Sequence, residues 1–270
     1  MAVWLVHKTR GVTSFDALQA TKPAAKACHG GALDPFATGL LPVLVGSGVH
    51  VFHAIHELPK TYLATIAWGS ETDNLDPLGA VIATGDTTNL TLPPITTGWQ
   101  EQVPPAFSNK RVKGERAWRL ARAGQQVELP PEQVYLHEAR WLDDTHLRVV
   151  VRGGFYVRSL ARDLGRANGA RAHLSALHRE QIGPWRCPPE GEVLKLSLED
   201  ALTWMPTRTL TDADVGALRK KQPIEPANPK TLEPARWKLP PGFPPTTFTR
   251  AVHLGRTVAL FREDKLFAWL

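Results

Sequence analysis

An α+β fold is what the sequence predicts, and three observations predict it. Stretches with strand alternation, such as Lys60 to Trp68, are interspersed with helical periodicity at Val157, Leu160, Ala161 and Leu164. At 270 residues the chain can bury one good core plus a small appended domain. A Pro/Gly-containing stretch then separates a last unit, which gives three parts: 1–186, a linker with a short helix over 187–206, and 207–270.

The elements follow in order. Residues 3 to 7 read as a buried first strand, with no signal-peptide layout at the start of the chain. Lys8 to Val12 is a turn, and Ser14 is expected to cap a helix that Pro23 ends. Lys8 either contacts phosphate or is a solvated turn lysine. The apolar run Leu40 to Val45 is buried. His50, His53 and His56 recur at spacing three on a helix, where each step drifts, so they do not converge on a metal. Lys60 to Trp68 is a strand with Tyr62, Ala64, Ile66 and Trp68 on one face. The acids of Gly69 to Gly79 shape a loop, and 84–102 is a turn-rich surface excursion.

Lys110, Arg111, Lys113 and Arg116 form the densest basic cluster; with Phe107 and Trp118 flanking the cations, it reads as an RNA-facing segment over a solvated helix end. Gly114 to Ala123 is expected as a helix stopped by Gly124. Residues 147–151 are a strand. Arg158 lies off the apolar stripe of the next helix, at its start. A cation at the positive end of a helix dipole calls for an anionic partner, and Asp34 is the candidate. Residues 210–221 form a short basic helix, and 257–261 with 265–270 form a hairpin.

Composition narrows the function. The chain is 43% hydrophobic, and no apolar run approaches a membrane span. Two cysteines, Cys28 and Cys187, exclude a disulfide framework and a cysteine zinc cluster, which points to the cytoplasm. The net charge of +6 fits a polyanionic partner.

The centre of the chemistry is His29-Gly30-Gly31-Ala32-Leu33-Asp34-Pro35-Phe36-Ala37-Thr38-Gly39-Leu40-Leu41-Pro42. Gly30 and Gly31 permit unusual backbone angles, and Pro35 pushes Asp34 toward an extended conformation. A lone acid on a rigid loop anchored in a core is a mounted catalytic group, or else a tight turn whose Asp bonds nearby N–H groups.

This stretch resembles the signature of the TruB family of tRNA pseudouridine synthases, bacterial stand-alone type. That family typically reads Gly-His-Thr-Gly-Ala/Thr-Leu-Asp-Pro-x-Ala-Thr-Gly-x-Leu-Pro. The chain departs from it at Cys28, where Gly is usual, and at Gly30, where Thr is common. Further blocks are similar: Lys60-Thr61-Tyr62 to Lys-x-Tyr, Gly69 to Gly79 to Gly-x-x-Thr-Asp-Thr-x-Asp-x-x-Gly, and Pro104 to Trp118 to the family's basic segment. Gly154 to Gly165 resembles Gly-Thr-Tyr-Ile-Arg-x-x-x-x-Asp-Leu-Gly, and His173 to Arg179 resembles Ala-His-x-x-x-Leu-x-Arg. The blocks span roughly residues 4–186.

The resemblance implies a pseudouridine synthase domain over 1–186, with a mixed, largely antiparallel central sheet flanked by helices, and a PUA-like RNA-binding barrel over 207–270. It implies uridine-to-pseudouridine isomerisation at uridine-55 in the T loop of tRNA, by a monomer without cofactor or metal. Asp34 is then catalytic. Arg158 pairs with it, Tyr62 packs on the flipped base, Leu177 lines the base pocket, and His29 fills the vacated stack. Lys8, Lys110, Arg111 and Lys113 would contact RNA. The rival from another class is a non-catalytic tRNA-folding chaperone on the same basic surface. A Cys28/His29 hydrolase lacks an orienting third group.

Overall fold

The computed structural model describes residues 2–270. β1 (Ala2–Lys8) leads into α1 (Ser14–Ala20), which Thr13 caps: its hydroxyl accepts from the Asp16 N–H while the Asp16 carboxylate accepts in return. The sequence suggested Ser14 for this role, but the Ser14 hydroxyl is engaged by Leu33 instead. β2 (Ala27–His29) and β3 (Thr38–Val45) frame the Asp34 loop. A 3-10 turn (Gly46–Val51) and α2 (Phe52–His56) follow, then β4 (Lys60–Trp68), as its alternation predicts. β5 (Ser70–Thr72) and β6 (Val81–Thr84) pair, and β7 (Gly98–Gln102) comes next.

β8 (Arg111–Val112) and β9 (Glu115–Arg116) form a small hairpin, so α3 (Ala117–Arg122) begins later than the sequence suggested. Both turn residues, Lys113 and Gly114, have positive φ, which ends helical geometry there. β10 (Glu132–Trp141), β11 (His146–Val151), α4 (Val157–Ala167) and β12 (Ala172–Ile182) continue the chain. The remaining elements are β13 (Trp185–Arg186), β14 (Val193–Ser197), α5 (Leu198–Ala201), β15 (Thr207–Thr209), α6 (Asp212–Arg219), β16 (Phe248–His253), β17 (Arg256–Arg262) and β18 (Lys265–Trp269).

The chain forms two compact units. One contains the chain through Pro35, Gly39–Pro59 and Gln181–Leu270. Here β1 pairs antiparallel with β14 on one side and β3 on the other, placing Trp4 opposite both Lys195 and Val43. Its core packs Val3, Leu5, Leu40, Leu44 and Ile55 with Leu198, Leu202, Trp204, Met205, Phe248 and Leu260. The stretch 187–206, expected as a linker and short helix, therefore carries a paired strand and several core side chains around its helix. Residues 207–270 contribute Phe248 and Leu260 to this core and build a second cluster of their own from Leu210, Val215, Leu218, Ala251, Ala259 and Phe261. The buried Glu57 ties them further, accepting from the Thr246 hydroxyl at 3.0 Å and from the Thr247 N–H and hydroxyl, both at 2.7 Å. Their strands form an open sheet in the order β15-β16-β17-β18, with β15 parallel to β16, where the sequence suggested a closed barrel.

The other unit contains Phe36–Thr38 and Lys60–Glu180. β4 pairs with β11, β11 with β10, and β10 with β7, all antiparallel. β7 lies inside the expected surface excursion. Only Gln102 of its five residues is buried, so no apolar alternation marked it. The acids of the 69–79 loop do shape it: Asp76 accepts from the Leu78 N–H and Asp73 from the Ala80 N–H.

Candidate active site

The connection from β2 to β3 carries Asp34. Each residue beside Asp34 is fixed through its backbone. The Leu33 N–H donates to the Ser14 hydroxyl, which donates back to the Leu33 carbonyl, both at 2.8 Å. The Pro35 carbonyl accepts from the Gly11 N–H at 2.8 Å and from Lys8 Nζ at 3.4 Å. Asp34 itself is half-buried between these two anchors. Upstream, the Gly30 N–H donates to the Pro42 carbonyl at 2.7 Å, and a Cβ on Gly30 would sit 3.1 Å from Pro42 Cβ and 3.2 Å from Ile55 Cδ1. Gly31 turns the chain at φ +131°. The loop is thus bound to α1, the turn after β1, and β3, which is what a preorganised carboxylate needs.

Lys8 is fully buried, with Nζ on the Thr9 and Pro35 carbonyls. The expected phosphate contact gives way to a role in holding the Asp34 loop. His29, at the end of β2, is half-buried. Next to it, burial pushes the Cys28 thiol above its ordinary value, with Lys26 opposing, which disfavours a thiolate nucleophile.

In the second unit, Tyr62 on β4 and Leu177 on β12 are both buried. Arg179, only 1% exposed, lies with its guanidinium 6.0 Å from the centroid of the Tyr62 ring and Nη1 3.5 Å from the hydroxyl. Two residues before Tyr62, Lys60 is also buried. Desolvation, reinforced by Arg179 and Arg152, lowers its ammonium to about 7. The motif that carries Leu177 also holds Arg179, to which sequence reasoning gave no role.

Arg158, on the first turn of α4, is 4% exposed. Its Nη1 donates to the Asn74 carbonyl at 2.6 Å and its Nη2 to the Phe107 carbonyl at 2.9 Å. Two carbonyl dipoles thus meet part of the demand that a cation at a helix start creates. The N-terminal half of α4 and the Tyr156 that precedes it also hold the chain ahead of the basic segment. Gln102 donates to the Tyr156 carbonyl at 3.1 Å and accepts from its N–H at 2.8 Å, and Ser159 and Arg162 both donate to the Val103 carbonyl. No sequence pattern flags Gln102 or Ser159, because an isolated polar residue has no periodic signature.

In the basic segment, Lys110 is ion-paired with Glu132, while Arg111 and Lys113 are exposed. Arg119 and Arg122 flank the Trp118 ring at 5.3 and 5.8 Å. His50, His53 and His56 are each exposed, and His53 packs edge-on against Phe52 and Phe267.

Comparison with known proteins gives three results. Residues 19–157 match the family model described as TruB family pseudouridylate synthase (N terminal domain). The chain is 36% identical over 251 residues to the tRNA pseudouridine synthase B of Rhodospirillum rubrum, covering 82% of this chain and 81% of that one. It is likewise 36% identical to the tRNA pseudouridine synthase B of Bordetella avium, covering 80% and 90%. Among solved structures, a chain of a Cbf5-Nop10-Gar1 complex superposes with a TM-score of 0.63 at 21% identity, over 97% of this chain and 78% of that one, a likeness of fold.

Proposed function

The chain belongs to the TruB family of pseudouridylate synthases, and from that premise we propose that it isomerises uridine-55 in the T loop of tRNA to pseudouridine, with Asp34 as its single catalytic carboxylate. The observation that supports this most is the loop itself, in which the residues on both sides of Asp34 are held by Ser14, Gly11 and Lys8.

A uridine stacked in a folded loop is out of reach and must be flipped out, at a cost of a few kcal/mol. His29 helps fill the space it leaves. Tyr62 stacks on the flipped base, and Leu177 lines its pocket. Asp34 attacks C1′ or removes a ribose proton. Either route needs an ionised carboxylate, and Arg158 pairs with it to keep it charged and aimed. The bond from C1′ to N1 breaks, the uracil turns, C1′ bonds to C5 as the Asp34–C1′ ester bond breaks or the ribose proton returns from Asp34, and the proton on C5 leaves. Lys110, Arg111 and Lys113 contact phosphates, and the sheet of 207–270 with Arg219, Lys220 and Lys221 at the end of α6 acts as a PUA-like RNA-binding module. The protein works in the cytoplasm as a monomer, with no cofactor.

The test is a map of modified uridines in an unmodified tRNA transcript incubated with purified protein. Pseudouridine is expected at position 55 and nowhere else. Asp34→Asn should bind the transcript with unchanged affinity and form none. Turnover by Asp34→Asn within tenfold of wild type would sink Asp34 as the catalytic group.

A further inference from the structure

The N-terminal half of α4 does more than present Arg158. It collects the backbone that leads into the basic segment: Tyr156 exchanges two hydrogen bonds with the Gln102 side chain, Ser159 and Arg162 hold the Val103 carbonyl, and Arg158 holds the Phe107 carbonyl. Ser159 is fully buried and Gln102 nearly so. Nη1 of the same guanidinium is on Asn74, whose loop is fixed in turn by the Thr72 hydroxyl on the Asp76 carbonyl. The place of Arg158 is therefore not independent of the place of residues 103–107. A segment that shifts takes the Phe107 carbonyl with it, and the planar fork has to follow or lose a bond.

We propose that Gln102 and Ser159 are positioning residues of the isomerisation, locking the root of the RNA-facing segment to α4 so that the grip on RNA and the seat of Arg158 are set together. This rests on the functional reading above. It goes beyond that reading by assigning the segment 103–118 an effect on the rate of chemistry, beyond an effect on affinity. A basic segment that only attracted phosphate would alter binding and leave the bound reaction untouched.

The test uses the full-length protein carrying Gln102→Ala with Ser159→Ala. Neither residue is placed at the reacting atoms, and neither carries charge. The single-turnover rate of pseudouridine formation at saturating tRNA is expected to fall about tenfold. Amide hydrogen exchange over 103–110 is expected to rise in the free protein, a readout that needs no activity and so stands even if uridine-55 is not the substrate. A rate above one third of wild type, or unchanged exchange over 103–110, overturns the proposal. Should the double variant melt below the assay temperature, Ser159→Ala alone is judged by the same two criteria.

Discussion

Ser14 and Leu33 exchange two hydrogen bonds through one hydroxyl, each 2.8 Å long, across nineteen residues of chain. Both backbone groups of Leu33 depend on that hydroxyl, so Ser14→Ala strands a buried N–H and a buried C=O. The expected cost is about 1–3 kcal/mol of stability, read from urea unfolding. The catalytic rate should drop more than tenfold, because Leu33 positions Asp34 directly. Ser14→Thr keeps the hydroxyl and should recover part of both. If Ser14→Ala retains full rate, the loop is held by other contacts.

Arg158 spans two carbonyls that lie on different loops. Arg158→Lys keeps the charge but replaces the fork with one point, so it cannot reproduce both bonds. The single-turnover rate should fall by about a hundredfold or more in Arg158→Lys and further in Arg158→Ala. A near-normal rate for the lysine variant would mean that charge alone suffices.

Lys60 makes stability depend on pH. Folded, its ammonium titrates at about 7 against an ordinary 10.5. Between those values the unfolded chain binds the extra proton, so stability rises with pH through that window. The slope approaches about 1.4 kcal/mol per unit between pH 8 and 9 and vanishes below 7, where both states are protonated. Lys60→Met should flatten this slope and raise Tm at pH 7. Parallel Tm–pH curves for the two proteins would show that Lys60 stays charged in the fold.

Deletion of 207–270 should cost the first unit its fold. The cut removes Phe248 and Leu260 from the core and leaves Glu57 without Thr246 and Thr247. Thermal unfolding is expected to drop by at least about 10 °C or to lose cooperativity. A truncated protein that melts within a few degrees of the full chain would instead show that residues 207–270 are a detachable module.

What could be read from the chain was what local physics dictates. Lys60–Trp68 alternates so regularly that its bounds were legible, and Gly-Pro punctuation marked the loop of Asp34. The partners that hold that loop were not legible, because Ser14 and Lys8 act on residues some twenty to thirty positions away and resemble ordinary cap and turn residues. For Arg158 the chain suggested a carboxylate partner, Asp34, and gave no hint of the Asn74 and Phe107 carbonyls that its guanidinium meets. The two carbonyls it found carry no side-chain signal. Residues 198–205 looked like connection because the run is short, yet Leu198, Leu202, Trp204 and Met205 are all buried.

The unit that holds Asp34 is assembled from the two ends of the chain, with residues 60–180 lying between its parts in sequence. Synthesis runs from the first residue onward, so the middle unit has all of its strands available while β1, β2 and the Asp34 loop still lack β14, Trp204, Phe248 and the threonines that Glu57 awaits. On the ribosome the core beneath β1 and β3 is the last part of this unit to be finished. A nascent chain stalled before residue 248 holds Leu5, Leu40 and Ile55 without the Phe248 and Leu260 that cover the same core, so stalled chains should aggregate more readily than the released protein.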